Sequence, residues 1–372
     1  MKISLSKPAI SNAELKAAQS VLKSGWLTDG PKNEQFEHSF AKYVGTKHAQ
    51  TINSCASALF IVLKALNIKG EVIIPSFTFV ATANAVMAAG AKPVFADIDF
   101  ESGNVTADTI KPLITSRTEA IMPVHFAGQS CQMDPIIKLC RKHKLVLIED
   151  SAEAIGSTYK NKKTGSFGIG CFSFFPTKNI TTGEGGMITT NDKNLKQTIK
   201  TMISHGIAKN TKTRYNWQRE AVVAGFNLRM SNVLAAIGLE QLKKLNKLNN
   251  LRRQHARYLT AGLDKQIVIP PSAKQFCKHV YQMYTVKVDP KIRNRLVEKL
   301  KKVGIGASVH FSPPVHQQKF YKKFAHQNLK NTDKLANSIL TLPMYPDLKI
   351  KELDYIINQT NRLTHKLLED RT

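Results

Sequence analysis

Apolar and polar positions along the first half of the chain switch between two periods. Ser11 followed by Glu14 has the spacing of a capping box, and Leu15, Ala18 and Leu22 then recur at helical intervals until Gly25. The apolar triplet Val72, Ile73 and Ile74 in Glu71–Pro75 reads as a short buried strand, and the alanine-rich run Val80–Ala89 as a helix. Strands are predicted again at 93–96, 120–124 and 145–148, the last ending in Glu149-Asp150. Asp134-Pro135 offers a helix N-cap with proline in the first helical position. Strands alternating with helices imply βαβ units, and hence a mainly parallel sheet covered on both faces: an α/β fold.

The pattern changes at Ser231. Leu234, Ile237, Leu242, Leu245 and Leu248 predict a long amphipathic helix running towards Arg257, a natural joint between two domains, 1–240 and 241–372. Beyond it, 281–288 alternates as a half-buried strand and 292–303 reads as a helix. Pro313-Pro314 marks a loop, and 353–368 is a terminal amphipathic helix.

A length of 372 residues fits two domains with a sizeable core, and 42% apolar with 22% charged residues is a globular composition. No apolar run is long enough to span a bilayer: 55–68 is interrupted by Lys64 and Asn67, and 1–10 lacks the apolar centre of a signal peptide. A cytoplasmic protein without a membrane partner is expected. Five cysteines, Cys55, Cys131, Cys140, Cys171 and Cys277, stand too far apart for a zinc knuckle, so free thiols and no metal are expected. The formal charge is 54 − 27 = +27. Lysines outnumber arginines 42 to 12 and are scattered, which suits a solvated surface or attraction of small anions better than a nucleic-acid stripe.

The chemistry concentrates in 145–190. Asp150 ends an apolar strand, where open α/β sheets place ligands. Lys178 lies between an apolar strand and the glycine-rich run Thr181-Thr182-Gly183-Glu184-Gly185-Gly186. A lysine becomes a nucleophile once it sheds its proton, and a Schiff base with an aldehyde cofactor uses the neutral amine. By spacing alone, Lys178 is equally readable as an exposed lysine and Asp150 as a surface or capping carboxylate. Ser54-Cys55-Ala56-Ser57 precedes the helical run 58–66 and could cup a phosphate with backbone N–H groups. Residues 165–170 mimic a nucleotide loop, but they lack the dinucleotide spacing and precede a strand.

Several collinear motifs then go beyond spacing: Pro75-Ser76-Phe77-Thr78-Phe79-Val80-Ala81-Thr82-Ala83-Asn84, Glu149-Asp150-Ser151-Ala152-Glu153-Ala154, the Lys178 stretch, Ser204-His205-Gly206, Gly225-Phe226-Asn227-Leu228-Arg229-Met230 and Leu342-Pro343-Met344-Tyr345-Pro346. From about Trp26 to Leu348 the chain resembles the DegT/StrS sugar aminotransferases, which depend on pyridoxal 5'-phosphate. The resemblance implies a fold-type-I transferase of the aspartate-aminotransferase kind. Its large cofactor-binding domain would be 1–240, its smaller C-terminal α/β domain 241–372, and it would form a homodimer with composite active sites. Lys178 would carry the cofactor as a Schiff base and shuttle the proton. Asp150 would face the pyridine nitrogen, Glu153 would sit near the ring hydroxyl and Phe79 would stack on the ring. Ser173 and the backbone at Cys55 and Ala56 would hold the phosphate, joined by Asn227 of the neighbouring subunit. Cys55-Ala56 stands where the family usually has Gly-Thr, so a threonine hydroxyl is missing and the contact falls to backbone or to Ser57.

Arg229, His310 and His316 are candidates for substrate contacts, the two histidines within 308–316, which resembles the family's sugar-site loop. Glu153-Ala154, Phe174-Phe175 and Ala120-Ile121-Met122-Pro123-Val124-His125 resemble the GDP-perosamine-forming subgroup, which implies amination of a nucleotide-linked 4-keto-6-deoxy sugar with L-glutamate as donor, for surface polysaccharide such as O-antigen. Two alternatives stay open on sequence alone: a sugar dehydratase of the same fold, which a histidine in place of Lys178 would mark, and a non-enzymatic basic protein that binds DNA.

Overall fold

The computed structural model describes residues 1–207 and 217–370. Helices α1 (Asn12–Ser24) and α2 (Pro31–Val44) lead into β1 (His48–Ile52), α3 (Cys55–Ala65), β2 (Glu71–Pro75), α4 (Val80–Ala89) and β3 (Lys92–Ala96). A short helix, α5 (Ala107–Ile110), precedes β4 (Thr118–Ile121), α6 (Met133–His143) and β5 (Val146–Asp150). Then come the small strands β6 (Thr158–Tyr159) and β7 (Lys162–Lys163), followed by β8 (Ile169–Ser173), β9 (Gly186–Thr190) and α7 (Lys193–Met202). The C-terminal part comprises α8 (Asn232–Gly262), β10 (Cys277–Lys278), β11 (Tyr284–Lys287), α9 (Pro290–Lys302), α10 (Lys330–Ser338), β12 (Ile339–Leu342) and α11 (Ile350–Glu369).

Seven strands form the central sheet in the order β1-β9-β8-β5-β4-β2-β3. Strands β3, β2, β4, β5 and β8 pair in parallel, and β9 runs against both its neighbours. The sheet buries both faces, and strand periodicity shows why. Val72 and Ile74 point into one apolar cluster with α3, α4 and α7, while Ile73 points into the opposite one with Ile136 and Cys140 of α6. A third cluster, built on Phe36 and Phe40 of α2 with Phe172 and Phe174, closes the β8–β9 end. A fourth gathers α8, β11, α9, β12 and α11, and Ile3 from the far N-terminus packs into it.

The α1 capping box forms as expected, with Glu14 Oε2 accepting the Ser11 N–H at 2.8 Å and Gly25 ending the helix at φ 72°. Three expectations shift. Helix α6 starts at Met133 after Gln132, so Asp134 lies inside its first turn, where a carboxylate suits the positive helix end, and its side chain meets Lys160 Nζ at 2.7 Å. The strand expected at 120–124 is Thr118–Ile121, with Val124 joined to Asp150 only by an isolated bridge. Strand β11 is shorter than expected and buried on both faces, since it packs within the C-terminal cluster instead of facing solvent. All five cysteines are free thiols. Among the described residues, no helix is long and apolar enough to cross a membrane, and no group of three His, Cys, Asp or Glu side chains could hold a metal.

Candidate active site

The carboxyl ends of the parallel strands converge on one cavity of about 440 Å³, where ligand sites of open α/β sheets belong. The turn after β1 supplies Cys55 and Ala56, that after β2 supplies Phe79, and the end of β5 with its following turn supplies Asp150 and Glu153. Ser173 ends β8, and Lys178 stands in the β8–β9 connection. The opposite wall comes from far along the chain and includes Gln282, His310, Thr341 and Met344.

Asp150 is almost completely buried. Its Oδ2 accepts the Thr82 hydroxyl at 2.8 Å, and Thr82 Oγ1 in turn lies 2.9 Å from Thr78 Oγ1; its Oδ1 accepts the Ala152 N–H at 3.2 Å. Burial pushes the carboxyl above the usual carboxylate range, and the hydrogen bonds from Thr82 and Ala152, with a smaller contribution from Lys178, offset only part of that cost. No described residue forms an ion pair with Asp150. A buried carboxylate anchored on one edge and lacking a cationic partner fits a ligand that brings its own positive charge. Lys178 Nζ lies 3.5 Å from Glu153 Oε1, and Glu153 Oε2 is fixed by the Ala127 N–H at 2.9 Å.

At the other end of the cavity, α3 begins at Cys55 with Ser54 as its cap, the Ser54 hydroxyl accepting the Ser57 N–H. First-turn amides have no acceptor within their own helix, so Cys55 and Ala56 can offer N–H groups to an anion. Ser57 Oγ accepts the Ser54 hydroxyl at 2.9 Å and is not part of the cavity wall. Backbones approach closely here. A Cβ on Gly186 would come within 2.6 Å of the Ser54 carbonyl carbon. The Cys55 thiol, buried beside Asp150, is held well above its ordinary pKa by burial, then by that carboxylate, so it serves as an inert wall.

Of the residues singled out from sequence, Cys55, Ala56, Phe79, Asp150, Glu153, Ser173, Lys178 and His310 share this cavity. Asn227, Arg229 and His316 are not in its lining. Asn227 is exposed and bridges to Ser204, and Arg229 is half-buried. His316 is buried in a polar link, with Nδ1 2.6 Å from Ser76 Oγ and Nε2 3.1 Å from Asp333 Oδ1. His310 Nδ1 lies 2.8 Å from Thr341 Oγ1, and burial lowers its pKa, favouring the neutral ring. The 165–170 loop is indeed no phosphate cradle. The amides of Gly165, Phe167 and Gly168 donate to the Glu149 carboxylate at 2.7–2.8 Å. Sequence reading gives no role to Leu5, Ser6 and Gln282, which carry no local signal, nor to Thr82 and Met344, which lie in the 75–84 and 342–346 motifs without being singled out.

The pattern of the DegT/DnrJ/EryC1/StrS aminotransferase family matches residues 8–361. The chain is 40% identical to the spore coat polysaccharide biosynthesis protein SpsC of Bacillus subtilis, across 95% of this chain and 94% of that one. Among solved structures it resembles PseC of Helicobacter pylori, an aminotransferase involved in the biosynthesis of pseudoaminic acid. That likeness has a TM-score of 0.93 and 32% identity, covering 98% of this chain and 100% of PseC. The sugar aminotransferase Spr1654 of Streptococcus pneumoniae, described as a putative one and solved in pyridoxamine-phosphate and pyridoxal-phosphate forms, superposes in the former with a TM-score of 0.94 at 28% identity over 99% of each chain. The chain belongs to the DegT/DnrJ/EryC1/StrS family of pyridoxal-phosphate-dependent sugar aminotransferases, with the fold-type-I architecture of that family.

Proposed function

We propose that the enzyme moves the amino group of L-glutamate onto C4 of a nucleotide-linked 4-keto-6-deoxy sugar, with Lys178 as the catalytic residue. The observation that carries this reading is the convergence of Lys178, Glu153 and the buried, cation-lacking Asp150 in one cavity. Pyridoxal phosphate, when bound, supplies an aldehyde that condenses with amines and a pyridinium ring that accepts electrons. Asp150 would keep a proton on the ring nitrogen, its own orientation set by Thr82 and the Ala152 N–H. Ser173 and the amides of Cys55 and Ala56 would hold the phosphate, and Phe79, 62% exposed in the single chain, would cover a ring face. Lys178 Nζ would present the amine and, in each half-reaction, take up or return the proton at the reacting carbon of the bound substrate, with Glu153 orienting it. In this reading residues 1–240 form the cofactor-binding domain and 241–372 a smaller domain that closes the cavity.

The acceptor is proposed from what the wall lacks. An enzyme for two dicarboxylates would need arginines holding carboxylates bidentately in both half-reactions, whereas Arg229 is the only arginine inside a site-like motif and no described arginine lines the cavity. The +27 charge favours approach of a pyrophosphate-bearing substrate. Turnover should therefore be found with a nucleotide 4-keto sugar and glutamate, tested on a panel of GDP-, UDP- and dTDP-linked 4-keto-6-deoxy sugars beside oxaloacetate. Turnover of oxaloacetate alone would remove the sugar acceptor from the proposal. A preference for UDP or dTDP sugars would remove only the perosamine refinement. The product would then serve surface glycan synthesis in the cytoplasm.

We further propose a homodimer in which Asn227 completes the neighbour's phosphate site. Exposed Phe79, Trp26, Leu27 and Asn227 support this, since large apolar side chains at this exposure seek a partner. Light scattering should give twice the 41.4 kDa chain mass. Asn227→Ala should weaken cofactor retention without splitting the dimer, and a monomer at working concentration would refute the composite site.

A further inference from the structure

Helix α8 carries a stripe of polar side chains that the chemistry above does not use. Gln241, Asn249, Arg252 and His255 are at most 8% exposed and face inward with Leu245, Leu248 and Leu259. Buried polar groups persist where their hydrogen bonds are made, so their partners show what they hold. Gln241 Oε1 accepts the Thr181 N–H at 3.2 Å. Arg252 Nη1 donates to the carbonyls of Gln282 at 3.3 Å and Met344 at 2.9 Å, both in the cavity wall. His255 Nδ1 meets the Tyr345 carbonyl at 3.2 Å.

Asn249 sits between the two arms of the site. Its Nδ2 donates to the Ile155 carbonyl at 3.0 Å, two residues beyond Glu153. Its Oδ1 accepts Asn179 Nδ2 at 2.6 Å, one residue beyond Lys178. Asn179 also donates to the Val280 carbonyl, and on the other side of Lys178 the Thr177 carbonyl accepts Gln282 Nε2 at 3.0 Å. Lys178 is thus held from both flanks, and Glu153 is tied to the same side chain that holds one of them. Packing alone does not ask for this: Asn179 Oδ1 is buried with no hydrogen-bond partner among the described residues, a cost an apolar residue would avoid.

We infer that Asn249 is a positioning residue that sets the separation of Lys178 and Glu153 by tying the two segments together from behind the cavity. The inference rests on the reading of Lys178 as the catalytic amine. It requires the effect of removing Asn249 to pass through Glu153. The full-length protein, stripped of cofactor, is treated with trinitrobenzenesulfonate, and modification of Lys178 is followed by peptide mass spectrometry. Glu153→Gln should speed modification, because the amine loses its carboxylate partner. Asn249→Leu should speed it by at least about threefold, and the double variant should be no faster than Glu153→Gln alone. Asn179→Ala cuts the same bond from its other end and should reproduce the Asn249 result, which keeps the test available if Asn249→Leu does not fold. Multiplying effects in the double variant, or unchanged modification in both single variants, would overturn the role of Asn249. If Lys178→Ala retained transaminase activity, the site reading itself would fail instead, so the two failures are distinguishable.

Discussion

A Lys178→Ala variant is expected to lose transamination altogether while remaining folded. The amine is the group that would both hold the cofactor and carry the proton, and loss of proton transfer alone costs roughly 10²–10⁴ in rate. The effect on stability is smaller. Lys178 faces a cavity wide enough for water, and its partner Glu153 keeps the Ala127 N–H after the amine is gone. The destabilisation should therefore fall below the ~3–5 kcal/mol typical of breaking a fully enclosed ion pair. Steady-state turnover with glutamate, thermal melting and borohydride fixation of the cofactor check the three parts. Wild-type turnover by the variant would sink the assignment.

Asp150→Asn should retain cofactor but lose at least about tenfold in rate, the equivalent of losing a charge-assisted contact worth roughly 1.5–3 kcal/mol. An amide can still take the Thr82 hydroxyl bond, yet it cannot stabilise a proton on the pyridine nitrogen. In the cofactor-free protein the same change should be neutral or stabilising, because burying an ionised carboxyl costs the native state free energy. The sign follows from linkage. A carboxyl whose native pKa is raised binds more protons folded than unfolded. It therefore favours the native state at acid pH and loses that contribution as pH rises from the ordinary aspartate value through the raised one. The variant should lack this part of the pH dependence. Equal rate constants for the variant and the wild type would exclude the role given to Asp150.

The parts legible in the sequence are those written in local pattern. Val80–Ala89 is bounded by Phe79 and Gly90, and the helix has those limits. Strands β2 and β5 are read from uninterrupted apolar runs, and the long helix α8 from its leucine spacing and the Ser231 cap. Asp134 shows the opposite case: a residue of good capping chemistry sits inside the first turn, paired with Lys160 26 positions away, and the helix starts earlier, at Met133. Strand β9 has no such signature, because its antiparallel place between β1 and β8 is a matter of pairing and its own burial is complete on both faces.

The site divides along the same line. Lys178, Asp150, Glu153 and Phe79 follow strand ends and sit in motifs, so the residues around them in the chain are enough to single them out. Gln282 reaches the cavity because the C-terminal cluster leans against it, with no residue near it to announce that role, while Thr341 and Met344 stand at the 342–346 motif, which marks the family but not the contact. His316 shows how a motif can mislead: the histidine is in the expected loop, but Ser76 and Asp333 have claimed both ring nitrogens.

The first residues of the chain have a partner that is made late. Ile3 donates its N–H to the Gly304 carbonyl and accepts the Gly306 N–H, and the Leu5 carbonyl accepts the Met344 N–H, while Leu5 and Ser6 face the cavity. Residues 3–6 therefore leave the ribosome some 300 positions ahead of the backbone they bind, an interval of ~15–60 s at about 5–20 residues per second. Through that time the β-sheet and Lys178 can be in place while one wall of the cavity is still unmade. This edge of the pocket is sealed only when the earliest and nearly the latest segments of the chain meet.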